Sequence, residues 1–401
     1  MAGHVWKKRA QTALMVMFGG IALIFLFALG LWLYVSATAK PLHPNPAEVP
    51  MVERAAPAQQ WAGAVEQARQ IARTTLVDGN WPGLSIAVGS GGNIVWAEGF
   101  GWADLEKKAK VDPDTRFRIG SASIALTSAG VGLLLEKRQL HLDDDIQAYV
   151  PAFPKKQWPV TLRQLMGHVG GVRNDGGDEG ELLGQHCERT ADGLRAFADS
   201  PLRFEPGTEF RFSSYGWILV SAAVESAAGE PFLTFMKKQV FDPLGMSNTI
   251  ADSETAARAT SYFPKFAAEP RYGPDVMRPI DYSCYAGASV FLSTPSDLVR
   301  FGMAIHSGTL LKPETVQALQ TSIQLASGTD TGYGLGWDIE TPTVAGKQAR
   351  VAGHDGELLG GMAASLLTFP EQGLVIAITS NTSFADTYAL GVKIAEAFAK
   401  K

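Results

Sequence analysis

The hydrophobic pattern opens with an unbroken apolar run. From Ala10 to Ala39 no residue is charged, and Ala13–Val35 is almost wholly apolar. A helix that crosses a bilayer needs about 20 such residues, so residues 13–36 are expected to span a membrane. Lys7, Lys8 and Arg9 precede the run, and Trp32 and Tyr34 sit near its end. Basic residues stay on the cytoplasmic side and aromatic rings favour the interface. Residues 1–12 are therefore expected as a cytoplasmic tail, with the body outside. Ala37-Thr38-Ala39 also fits a signal-peptide cleavage site. The run is longer than the usual signal core, which favours an uncleaved anchor, and both readings export the body. Five prolines between Lys40 and Gln60 predict a semi-rigid, extended linker over residues 37–60.

Residues 61–401 carry mixed periodicities. Trp61, Val65, Ala68, Ile71 and Ala72 share one helical face. Leu84–Val88 and Ile94–Ala97 are short β-rich runs around Gly89-Ser90-Gly91-Gly92, a hairpin signal. Thr161-Leu162-Arg163-Gln164 matches a capping box. Trp217–Ala228 reads as a helix, and so does Leu298–Ile305 after Pro295-Ser296-Asp297. Ala251–Pro279 has no clear period and is expected to be mostly irregular. Gly332–Ile339, Arg350–Gly353, Met362–Phe369 and Leu374–Thr379 read as strands, and Ala385–Ala399 closes as a helix. Strands at both ends with helices between them predict an α+β fold. Its hairpin and C-terminal strands would share one antiparallel sheet.

Composition excludes some functions. Four of the 35 basic residues and none of the 40 acidic ones lie in the first 40 positions, so the remainder carries a charge of −9. An acidic body argues against nucleic-acid binding. Asn174–Glu181 is a glycine-rich acidic loop, but Asp175, Asp178, Glu179 and Glu181 match no defined calcium loop. They read as a solvated surface loop, and Asp143-Asp144-Asp145 reads the same way. The seven histidines show no His-x-x-x-His spacing, so no metal and no cofactor is expected. Cys187 and Cys284 fit either one disulfide or two free thiols.

The candidate chemistry lies in Phe117-Arg118-Ile119-Gly120-Ser121-Ala122-Ser123-Ile124, which leads into an apolar run. Further landmarks follow in order: Leu165-Met166-Gly167-His168, Phe204-Glu205-Pro206-Gly207-Thr208, Pro243-Leu244-Gly245-Met246 and Leu292-Ser293-Thr294-Pro295. Together they resemble the serine β-lactamase and penicillin-binding-protein family. That family includes class C β-lactamases, bacterial esterases, D-Ala-D-Ala peptidases and a membrane-anchored mitochondrial branch. The resemblance covers about Trp61–Lys401. It implies an antiparallel sheet flanked by N- and C-terminal helices, with a helical insertion.

The family builds its site from three motifs. Ser-x-x-Lys puts a nucleophile and a base on one helix face; here Ser121 is kept and the lysine position is Ile124. Tyr-x-Asn supplies a proton relay and a substrate contact; here it is Phe212-Ser213-Ser214. Lys-Thr-Gly or His-x-Gly lines the opposite wall, and His354-Asp355-Gly356 keeps it. Removing one partner of a buried pair costs about 1–3 kcal/mol, whereas replacing both with apolar groups can be nearly neutral. Ile124 and Phe212 thus read as one coherent change to a drier pocket.

The resemblance implies a membrane-anchored hydrolase in the periplasm or another exported space. It would act on a small ester or peptide amide through Ser121. Backbone donors near Ser121 and after Gly356 would form an oxyanion hole. Ser214, Tyr215 and Gly356 are expected to contact substrate, with proton handling left to His354 or water. Asp355 should point to the opposite face of its strand from His354, so no full triad is evident and turnover should be slow. Ser121 also suits a helix N-cap, and His168 reads as structural. The alternative is an inactive relative that binds a ligand or acts as a scaffold. The cysteine-bearing regions border the family's cleft from two sides, which implies a bridge that closes a loop of about a hundred residues.

Overall fold

The computed structural model describes residues 2–174, 182, 184–253, 256–266, 268–358 and 360–399, with side chains from Leu14 onward except at Leu358. The acidic positions 175, 178, 179 and 181 lie outside the described residues. The main sheet is antiparallel and runs in the order Met51–Glu53, Asn93–Asp104, Gly83–Ser90, Leu374–Ser380, Met362–Phe369, Val351–Leu358, Asp338–Glu340. Ala109–Lys110 adds a short eighth strand on Asn93–Asp104. The expected α+β sheet, with N-terminal and C-terminal strands side by side, is what forms: Leu374–Ser380 pairs with Gly83–Ser90.

Alternation along the central strands explains their uninterrupted burial. Ile86, Val88, Ile376 and Ile378 point into one core with helices Ala62–Asp78 and Thr387–Ala399. Ala87, Ala377 and Val375 point into a second core with helices Ser123–Glu136, Ser214–Ala228 and Pro295–Ser307. A sheet covered on both faces loses the apolar-polar alternation of a half-exposed one.

Local signals account for the joints. Gly91 and Gly92 take φ of +58° and +78°, which only glycine adopts without strain in a two-residue hairpin turn. The capping box forms: Thr161 Oγ1 accepts from the Gln164 amide at 3.2 Å, and Gln164 Oε1 accepts from the Thr161 amide at 3.0 Å. Thr294 caps helix Pro295–Ser307, with proline in its first turn. Asp143 pairs with Arg163, and Asp144 accepts from Tyr149 Oη at 2.6 Å. Cys187 and Cys284 are joined by a disulfide across a separation of 97 residues. A loop of that length gives a bridge worth about 2–4 kcal/mol.

Two expectations are corrected. Of the segment Gly332–Ile339 only Asp338 and Ile339 are strand, in Asp338–Glu340. The rest turns tightly: Gly332 and Gly336 have φ of +69° and +94°, and a Cβ at Gly336 would lie 2.7 Å from the Trp217 ring. The segment over residues 37–60 is not free linker throughout. His43 and Val49 are buried, the Leu42 amide donates to Asn80 Oδ1 at 2.7 Å, and Met51–Glu53 is the edge strand of the main sheet. Apolar and polar contacts hold the chain to the body well before Trp61.

The N-terminal helix runs Ala2–Thr38, and Leu14–Thr38 is long and apolar enough to cross a membrane. Such a helix near an N-terminus suits an anchor or a signal sequence alike.

Candidate active site

Ser121 sits in a single tight turn, Gly120–Ala122, that runs into helix Ser123–Glu136. Gly120 has φ +49°. The helix starts from Ala122 with no side-chain cap, so Ser121 is not spent as an N-cap. It is 8% exposed, and its Oγ has no hydrogen-bond partner among the described residues.

Strand Val351–Leu358 lies directly against this turn. A Cβ at Gly356 would overlap the Ile119 carbonyl oxygen and sit 2.9 Å from the Ala122 amide nitrogen. Only glycine permits that approach. Side chains two apart share a strand face, so His354 projects on the Ser121 side, roughly 7 Å along the strand. Asp355 pairs in register with Ser365 and faces the other way, as expected.

His354 belongs to a hydrogen-bonded chain that fixes its own tautomers. The Ser213 amide donates to His168 Nδ1 at 3.0 Å, which leaves the proton of neutral His168 on Nε2. His168 Nε2 lies 3.2 Å from Tyr333 Oη, and Tyr333 Oη lies 2.8 Å from His354 Nε2. His354 Nδ1 is 2.7 Å from the Asp355 carbonyl oxygen, a neutral acceptor, so the proton of neutral His354 sits there. Tyr333 therefore donates to His354 and accepts from His168. The backbone of Asp355, not its carboxylate, orients the imidazole.

All three rings are buried. Burial holds the His168 pKa well below 6.5, with His354 adding to the effect. Burial, and then the Asp338 charge, push Tyr333 well above 10. Asp338 Oδ2 lies 3.9 Å from His354 Nδ1, too far for a hydrogen bond. The tight turn from Tyr333 to Asp338 delivers both residues to His354.

Of the two positions expected to depart from the motifs, Phe212 meets the same chain. Phe212 packs against His168 with centroids 4.4 Å apart and reaches His354 at 6.5 Å, so the ring expected at the motif's tyrosine position stands beside both imidazoles. Ile124 is fully buried in the core. Ser213 caps helix Ser214–Ala228 through the Gly216 amide at 3.0 Å, and the Ser214 amide donates to Asn174 Oδ1 at 3.2 Å. Tyr215, expected on the substrate side, is fully buried. Its ring stacks on Phe197 at 4.5 Å and packs near Tyr285, so it serves the core and presents no face to a ligand. His168, read as structural, stands at one end of the chain, and Tyr333 and Asp338 were not singled out.

The face behind His354 gives a pH test. Asp355 Oδ1 is buried without a hydrogen-bond partner among the described residues. Burial pushes its carboxyl up to about 7, opposed by a hydrogen bond from Ser365. A raised pKa means the folded state holds this proton more tightly than the unfolded chain. Stability then falls as pH rises from about 4 to about 7, and the penalty is complete above that. Asp355→Asn should raise the melting temperature at pH 8 and change it little at pH 4. An equal shift at both values would show that the carboxyl does not titrate there.

Known proteins agree with this architecture. The β-lactamase family model matches residues 62–399. The chain belongs to the β-lactamase family. It is 26% identical to the human mitochondrial serine beta-lactamase-like protein LACTB, over 85% of this chain and 80% of that one. It is 25% identical to penicillin-binding protein 4* of Bacillus subtilis, over 68% and 62%. Among solved structures, the octameric penicillin-binding protein homologue from Pyrococcus abyssi superposes with a TM-score of 0.67 at 22% identity, covering 82% of this chain and 76% of that one. EstCE1, a hydrolase with promiscuous acyltransferase activity, gives 0.69 at 20% identity, covering 85% and 100%.

Proposed function

We propose that the protein is a membrane-anchored serine acyl hydrolase with a histidine–tyrosine–histidine chain in place of the family's lysine. Its substrate class is a small ester or peptide amide. The observation that supports this most is the buried chain from His168 through Tyr333 to His354, on the same strand face as the Ser121 turn. Ser121 Oγ attacks the substrate carbonyl and its proton passes to His354 Nε2. Tyr333 Oη then accepts from both imidazoles, and Asp338 faces the new positive charge. The tetrahedral oxygen takes backbone donors near Ser121 and after Gly356. Collapse returns the proton from His354 to the leaving alkoxide or amine. Turnover is slow, because both ring nitrogens of His354 are engaged at rest and Tyr333 must turn its hydroxyl hydrogen away first.

That engagement also favours the second reading, an inactive relative that binds an acyl ligand. Intact mass after treatment of the full-length protein with a fluorophosphonate separates the two. A single adduct, absent in Ser121→Ala, is expected. No adduct on folded protein leaves the ligand-binding reading.

The apolar run behind Lys7, Lys8 and Arg9 supports a body in the periplasm or an equivalent exported space. Full-length protein should fractionate with membranes and resist high-salt extraction. Recovery in the soluble fraction with Lys40 at the N-terminus would instead mean a cleaved signal.

A further inference from the structure

The far end of the sheet carries a concave site. A groove of about 750 Å³ opens between the C-terminal turn of helix Pro295–Ser307, the short helix Pro313–Leu319 and the strand ends near Arg350. Its volume lies within the range of small-molecule sites, about 300–1,000 Å³. Arg350 is four residues before His354, or roughly 13 Å along the strand, so the groove is separate from the Ser121 turn.

Its lining has unused donors. Gln320 is only 5% exposed, yet its amide Nε2 has no partner among the described residues. His306 Nε2 is likewise buried without one. Burial, and then the Arg350 charge, lower the His306 pKa, so its ring is neutral. Arg350 donates to the backbone carbonyl oxygen of Gln320 at 2.8 Å and forms no ion pair among the described residues. Among the described residues, no aspartate or glutamate lines the groove. Buried donors left unmatched destabilise the fold, and a guanidinium matches a carboxylate in two parallel bonds. Beside these groups, Met303, Val316 and Val375 provide an apolar wall.

We propose that this groove binds a small amphipathic monocarboxylate. The carboxylate pairs with Arg350 and takes the Gln320 amide, and the tail lies on Met303, Val316 and Val375. One cation against an apolar wall suits a single negative charge with a hydrocarbon tail better than a phosphate.

Full-length protein in lipid nanodiscs, titrated with 4-phenylbutyrate by calorimetry, tests this. Saturable binding is expected, weakened about tenfold or more by Arg350→Gln and unchanged by Ser121→Ala. The neutral 4-phenylbutyramide should bind far more weakly. Val316→Trp, which fills the groove and leaves Arg350 in place, should abolish binding and covers the case in which Arg350→Gln fails to fold. The proposal is overturned by no saturable binding at millimolar concentration, by binding indifferent to Val316→Trp, or by loss of binding in Ser121→Ala. Inorganic phosphate binding as tightly as 4-phenylbutyrate would overturn the carboxylate assignment.

Discussion

Replacing His354 by glutamine is expected to lower Ser121-dependent hydrolysis of an activated ester by about 10²–10⁴-fold, the usual contribution of a general base. The loss should fall on kcat and leave KM nearly unchanged, because the imidazole moves a proton and the mechanism gives it no hold on the ground-state substrate. Tyr333→Phe should cost less. It frees His354 Nε2, which lies 2.8 Å from the hydroxyl it loses, but it also leaves the His168 Nε2 proton without its acceptor. Its loss should likewise fall on kcat, because Tyr333 acts through His354 and touches no substrate atom. p-Nitrophenyl acetate hydrolysis across pH 5–9 in both variants measures this, with Ser121→Ala as background. Activity at the native level in His354→Gln would remove the imidazole from the mechanism and leave water as the only base.

How much of this was legible in the sequence depends on range. The hairpin at Gly91-Gly92, the capping box at Thr161 and the proline-led helix at Pro295 are local devices, and each formed where its residues predicted. Ser121, His354 and Gly356 were legible because a motif fixes their spacing. The chain from His168 to Tyr333 was not, because 165 residues separate two side chains that meet only in the folded molecule. His168 also adopts φ +58°, a strained state for a non-glycine residue that no periodicity announces. Tyr333 lay in a run that alternates like a strand, yet close packing of Trp217 on Gly336 makes it a turn. Tyr215 was misplaced for a simpler reason. A residue at the start of a helix can face either the cleft or the core, and stacking on Phe197 decides for the core.

Restoring the family's own base tests whether its place still exists. Ile124 is fully buried in the apolar core. Ile124→Lys alone should therefore destabilise the fold by on the order of 3 kcal/mol, since an unpaired charge is carried into the interior or sheds its proton to remain there. Phe212→Tyr alone should cost little, because that ring is 38% exposed and its new hydroxyl can reach water. Together, the phenol gives the amine a partner and the lysine a reason to stay near Ser121, so part of the lost melting temperature should return. The decisive reading is kinetic. In the double variant a second base serves Ser121, so adding His354→Gln should cost less than about tenfold, against the larger loss in the native background. Ser121→Ala should abolish activity in every background. If His354→Gln is as damaging in the double variant as in the native protein, position 124 no longer reaches the nucleophile, and the exchange of lysine for isoleucine has moved the base for good to the strand that carries His354.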